Sequence, residues 1–202
     1  MIRRGARKRL TPLPKAVIIC EGKVTEPQYL NGLRVERRLP ESRVVIHRAK
    51  GDPKRVVDEA VRLKKLNDAE NARDKLDVKD TVWAVFDRDD HLEIPEAKQK
   101  ARANDVRIVF SNPCFELFLL FHFTDLTRDE HRDVVTRLLR DHMPDYVKKV
   151  DYRGYGLHAR YNDAKRRCET VNLRSELTAG IESAPYCCGH NLIDYLLELR
   201  LS

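Results

Sequence analysis

The chain has 202 residues, 42% of them hydrophobic and 35% charged, enough for one domain of ~100–150 residues with a smaller appendage. Aliphatic runs such as Val17-Ile18-Ile19 and Leu117-Phe118-Leu119-Leu120-Phe121 exclude wholesale disorder, no apolar stretch approaches the ~20 residues of a membrane span, and five cysteines make no disulfide framework, so a soluble, cytoplasmic protein is expected. Lys and Arg outnumber Asp and Glu by 39 to 32, a formal charge of +7, which favours an anionic partner such as nucleic acid.

Six cationic and no anionic side chains among the first fifteen residues predict a basic mobile arm over residues 1–14. Lys15–Cys20 is a short run of β-formers that reads as a buried strand ending at Glu21-Gly22. Thr25 is the expected N-cap of a helix that tolerates Pro27 in its first turn and presents Tyr29, Leu30 and Leu33. A second strand is predicted over Val44–Arg48, followed by Asp52 as cap and Pro53 as opening residue of a helix carrying Val56, Val57, Ala60, Val61, Leu63 and Leu66. Thr81–Phe86 reads as a third strand, Glu93–Asn104 as a helix and Val106–Phe110 as a fourth strand. Ser111-Asn112-Pro113 then reads as a cap with proline at the first helical position, opening a buried helix over Cys114–Phe123.

Four strands alternating with helices over 15–124 predict an α/β domain with a central, mainly parallel four-stranded sheet and right-handed crossovers. Residues 125–202 are expected to form a helical region packed on it. Its periodic segments lie near 128–141, 158–176 and 189–201, and the breaks fall at Gly154-Tyr155-Gly156 and Pro185.

Open parallel sheets bind ligands beyond the carboxyl ends of their strands, and there this sequence is acidic. Glu21 follows strand one, Asp87 and Asp89 follow strand three, and Glu116 lies in the helix after strand four. Carboxylates gathered on one edge repel and raise one another's pKa, an objection that a divalent cation removes. Mg²⁺, with Mn²⁺ as substitute, takes carboxylate and phosphate oxygens, and such a site suits phosphoryl transfer to water, with a remaining carboxylate handling protons. Glu116 is the only formally charged residue between Ser111 and Thr124, and a buried carboxylate needs compensation: either a metal or water contact, or a structural partner such as Arg. The structural alternative for Glu21, Asp87 and Asp89 is turn formation and helix capping.

Three motifs, Cys20-Glu-Gly-Lys-Val-Thr-Glu-Pro-Gln-Tyr29, Val82-Trp-Ala-Val-Phe-Asp-Arg-Asp-Asp-His91 and Ser111-Asn-Pro-Cys-Phe-Glu-Leu-Phe-Leu-Leu-Phe-His122, resemble the RloB-like family in order and spacing. The family is associated with bacterial restriction-type loci and abortive infection against phage. Its fold resembles the Toprim domain of topoisomerases, primases and overcoming-lysogenization-defect nucleases. The resemblance implies that Glu21 serves acid/base chemistry and metal binding, that Asp87 and Asp89 hold Mg²⁺, and that Glu116 supports metal or water. Glu26, Asp90, His91 and Asn112 are secondary site candidates. It also implies nucleic acid, DNA or RNA, as substrate and other defence-locus proteins as partners. Toward the C-terminus the chain departs from its relatives at Ala184-Pro-Tyr-Cys-Cys-Gly-His190.

Between 146 and 167, Tyr146, Tyr152, Tyr155 and Tyr161 alternate with Lys148, Lys149, Arg153, Arg160, Lys165, Arg166 and Arg167. This region reads either as a nucleic-acid surface, cations on phosphates and rings on bases, or as a solvated face whose tyrosines anchor the helices. Lys54 and Arg55 are weaker phosphate candidates. Cys168, Cys187, Cys188 and His190 lack the spacing of a zinc knuckle, and His122 reads as a hydrogen-bonded core residue. Two further functional classes stay open. One is a non-catalytic nucleic-acid-binding or sensor subunit on the same fold. The other is an aspartyl phosphatase of haloacid-dehalogenase type, disfavoured because that motif normally follows the first strand.

Overall fold

The computed structural model describes residues 13–49, 51–89, 91, 93–178, 180 and 182–199. The predicted basic arm falls outside these residues except for Leu13 and Pro14, and Asp90 falls outside them as well. In chain order the elements are β1 (Ala16–Cys20), α1 (Thr25–Glu36), β2 (Val44–Arg48), α2 (Pro53–Arg73), β3 (Thr81–Asp87), α3 (Ile94–Ala103), β4 (Arg107–Asn112), α4 (Glu116–Phe121), α5 (Arg132–His142), α6 (Tyr161–Thr178), β5 (Tyr186–Cys187) and α7 (Gly189–Leu199). Among them no helix is long and apolar enough to cross a membrane.

The sheet order is β2-β1-β3-β4-β5. The first four strands run parallel, in the expected Toprim-like α/β arrangement. A fifth strand of two residues adds antiparallel to β4 through Ser111↔Cys187 and Asn112↔Tyr186. Period-two alternation sorts the strand side chains between two cores. Ala16, Ile18, Cys20, Trp83, Val85 and Val109 face the layer of α1, α4, α5, α6 and α7. Val17, Ile19, Val82, Ala84, Phe86 and Phe110 face α2 and α3. Both faces are therefore covered, and each fully buried Val, Ile or Phe contributes about 1.5–3 kcal/mol of transfer free energy.

Local capping follows the sequence at α2 and departs from it at α1 and α4. Asp52 accepts from the Arg55 N–H at 2.9 Å with Pro53 in the first turn. At α1 the cap position belongs to Val24, and Thr25 is already helical. Its hydroxyl lies 3.0 Å from the Tyr146 hydroxyl and 3.4 Å from the Lys148 carbonyl, so a partner distant in sequence takes the group that would have capped. Asn112 likewise does not cap a helix. Its pairing with β5 extends β4 through Asn112, and α4 starts at Glu116 with all six of its residues buried.

The layer above the first face centres on Tyr29, whose ring meets Phe115, Phe118, His122 and Tyr152 edge-on with centroids 5.1–5.8 Å apart. His122 is the hydrogen-bonded core residue expected: Nε2 lies 3.1 Å from the Tyr29 hydroxyl and Nδ1 2.9 Å from the Phe118 carbonyl. Burial holds its pKa down at about 4. Tyr161 ties α6 to α7 by donating to Asp194 Oδ1 at 2.7 Å, with the His190 carbonyl 3.1 Å from the same hydroxyl oxygen.

Candidate active site

Parallel register sets the acidic residues side by side. Cys20 pairs with Val85, and the Glu21 N–H continues the ladder to the Val85 carbonyl at 2.9 Å. Asp87 pairs with Ser111, and Glu116 opens the helix that follows β4. The result is a cleft of ≈360 Å³ beyond the strand ends, lined by five carboxylates, Glu21, Glu26, Asp87, Asp89 and Glu116, together with Gly22, Lys23, Val24, Thr25, Arg132 and Lys148.

Four of the carboxylates rest on donors of their own. Glu21 Oε2 accepts the Asp87 N–H at 3.1 Å, and Glu21 Oε1 lies 3.2 Å from His91 Nε2. Glu26 Oε1 accepts the Gly22 N–H at 3.1 Å. A Cβ at Gly22 would fall 1.9 Å from Glu26 Oε2, so any side chain here would push the Glu26 carboxylate off this N–H. Glu116, 4% exposed, accepts from the Tyr146 hydroxyl at 2.8 Å. Asp89, with a left-handed φ of 36°, accepts from Arg132 Nη1. Asp87 differs: its Oδ1 is buried and has no hydrogen-bond partner among the described residues.

These surroundings raise the proton affinity of the cleft. Burial pushes Asp87 well above the usual carboxylate range, and the charges of Glu26, Glu116 and Asp89 add to it, while the Phe115 N–H opposes. Burial also pushes Glu26 up to about 7, with Glu116 and Glu21 adding. Glu21 is raised by burial and by Asp89, against the pull of the Asp87 N–H and His91. All the donors are oxygens, which suits a hard divalent cation, and the orphaned Asp87 Oδ1 is a free acceptor for one. As the side chains stand, no three His, Cys, Asp or Glu groups among the described residues converge closely enough to grip an ion, because the carboxylates are drawn to separate donors.

The remaining candidates distribute as follows. His91 touches Glu21 from outside the cleft lining. Asn112 is not among the lining residues, and its side-chain amide donates to the Glu182 carbonyl at 3.1 Å. Lys148 is on the lining. Lys149 and Arg153 are exposed, and Arg153 pairs with Glu36 at 2.7 Å. Arg160 covers the Phe123 ring at 5.1 Å, Lys165 pairs with Asp194 at 2.8 Å and Arg166 with Asp163 at 2.9 Å. Tyr146, Tyr152 and Tyr161 are buried, with Tyr155 half-buried, so in this region the rings anchor the helices and the cations face outward, except Arg167, which donates to the Phe121 carbonyl at 2.7 Å. Cys187 and Cys188 belong to opposite cores, which places their side chains on opposite sides of the sheet. All five cysteines are free and buried.

Sequence reasoning missed Arg132 and the pairing of Tyr146 with Glu116. A cation at the opening residue of a helix, set against the helix dipole, is the faint signal that marks Arg132. Nothing local marks a hydrogen bond that spans 30 residues.

No curated protein and no solved structure matches the chain. The family model described as RloB-like protein matches residues 16–196, a span that takes in all three motifs and the cleft they build. The chain therefore belongs to the RloB-like protein family, Toprim-like in fold and associated in general terms with nucleases of phage defence.

Proposed function

We propose that this protein is a Mg²⁺-dependent nuclease, with Mn²⁺ as substitute, that hydrolyses phosphodiester bonds of DNA or RNA in abortive-infection defence, alongside other proteins of its locus. The observation that carries this reading is the unpartnered, buried Asp87 Oδ1 in a cleft of five carboxylates. Leaving such an atom unsatisfied costs about 1–3 kcal/mol or more for a charged group, which a bound cation would remove. Asp87 and Asp89, with Glu21, would hold the ion. When bound, it would polarise the phosphodiester and acidify a water.

The chain's own groups supply the rest. Glu21 Oε1, facing His91 and raised in pKa by burial, is suited to take the proton of an attacking water. The Tyr146 hydroxyl orients Glu116 toward the same space, and Lys148 and Lys23 offer positive charge at the cleft wall for a phosphate. Glu26 stays close to half-protonated near pH 7, which limits mutual repulsion before an ion binds.

The test is incubation of the purified protein with DNA and RNA pools in Mg²⁺ or Mn²⁺, beside Asp87→Ala and Glu21→Gln. Metal-dependent cleavage by the wild type and its loss in both folded variants is expected. Cleavage that persists in both, or that ignores chelation, would overturn the assignment. A non-catalytic binding or sensor subunit is the second reading, favoured by the separation of the carboxylates onto individual donors. It predicts salt-sensitive nucleic-acid binding that survives both substitutions, with no cleavage.

A further inference from the structure

Three cations line the cleft among the described residues, Lys23, Arg132 and Lys148. Lys23 and Lys148 have no side-chain ion pair there, whereas Arg132 is committed to Asp89 Oδ1. Arg132 is the first residue of α5, where a guanidinium opposes the helix dipole. What holds it is the carboxylate that it reaches. The pair is half-open to water, with side-chain exposures of 36% for Arg132 and 26% for Asp89, and ion pairs so exposed exchange partners readily. Asp89 is also one of the two aspartates assigned above to the metal, so the same carboxylate has two cationic suitors. The planar guanidinium fork fits phosphate as well as carboxylate.

We infer that the Arg132–Asp89 ion pair is an exchangeable latch: without a divalent ion the guanidinium neutralises Asp89, and when Asp89 turns to an ion the same guanidinium is released to a phosphate oxygen of the nucleic-acid strand. This inference rests on reading the cleft as a metal-dependent phosphodiester site. It makes substrate binding conditional on metal binding. The protein would then grip a strand fully only when it is loaded to act.

The experiment titrates Mn²⁺ by calorimetry into wild type, Arg132→Gln and Arg132→Lys. It then measures binding of a single-stranded oligonucleotide with nuclease-resistant phosphorothioate linkages to the same three forms, with and without Mn²⁺, across a salt series. Matching thermal unfolding midpoints establish that the variants fold. Removing the competing cation should tighten Mn²⁺ binding about three- to tenfold in Arg132→Gln. With Mn²⁺ present, the same substitution should weaken oligonucleotide binding and lower the salt slope by about one. Without Mn²⁺ it should leave the slope unchanged and cost less affinity than with Mn²⁺, that cost coming from the bared Asp89 carboxylate, and Arg132→Lys should restore the slope. Mn²⁺ affinity that is unchanged or weaker in Arg132→Gln, while the wild type binds normally, overturns the latch alone. So does an oligonucleotide defect of equal size with and without Mn²⁺. Absence of Mn²⁺ uptake by every form overturns the metal-site reading and the latch with it.

Discussion

The strand-end cleft and the aromatic layer around Tyr29 both bury polar groups, and they settle that burial in opposite ways. In the layer, both nitrogens of His122 and the hydroxyls of Tyr29 and Tyr161 find protein partners, so these polar atoms serve as internal ties, and among the described residues around Tyr29 the neutral Tyr152 hydroxyl is the one left over. In the cleft, five carboxylates meet, three of them with raised proton affinity, and Asp87 Oδ1 is left without a partner among the described residues. A buried network that closes on itself specifies structure. One left open toward solvent retains affinity for something outside the chain.

The largest effect that would sharpen this contrast is on chemistry. Asp87→Asn should lower metal-dependent cleavage by at least ~10³-fold, about 4 kcal/mol of barrier, while leaving thermal stability without metal equal or higher, because it removes a buried charge. A stability loss comparable to that of a core truncation would make Asp87 a structural residue instead.

The two regions should also respond oppositely to pH. The folded-state pKa of Glu26 lies at about 7, above its ordinary 4.5, so the stability it lends is full below about pH 4.5 and is lost as pH rises toward 7. That of His122 lies at about 4, below its ordinary 6.5, so its contribution is full above about pH 6.5 and is lost as pH falls toward 4. Each swing is on the order of 3 kcal/mol. Urea unfolding across this range should show Glu26→Gln losing the decline toward neutrality and His122→Gln losing the decline toward acid. Identical pH profiles for both variants and the wild type would remove the contrast.

Smaller effects follow at the edges of the cleft. Tyr146→Phe strips the donor from the buried Glu116 and should destabilise the protein by about 1–3 kcal/mol, measured by denaturant midpoint, and it should slow cleavage. No change in midpoint would mean that Glu116 draws its compensation elsewhere. Lys148→Ala should be the mildest, with stability within about 0.5 kcal/mol and the salt slope of nucleic-acid binding reduced by about one. An unaltered slope would remove Lys148 from the binding surface.

What was legible in the sequence was whatever depends on short-range pattern. The strands β1 and β3 are buried on both faces and read as unbroken apolar runs, and alternation with helices implied the parallel order that brings Glu21, Asp87, Asp89 and Glu116 to one edge. What escaped depends on contacts between distant residues. β5 is two residues long, too short for any periodicity, and without it Asn112 reads as a helix cap instead of the end of a strand. Thr25 carries the chemistry of a cap, but Tyr146 takes its hydroxyl. The tyrosines of 146–161 fitted either base stacking or anchoring, and only their burial separates the two. Arg132 joins the site through an ion pair with a residue 43 positions away, which no local spacing encodes.

Whether the unpartnered oxygen of Asp87 takes a cation is decided by calorimetric titration of Mn²⁺ into the wild type and Asp87→Asn side by side. Saturable uptake by the wild type and its loss in the folded variant are predicted. Equal uptake by both, or none by either, would show that this oxygen is not an ion ligand.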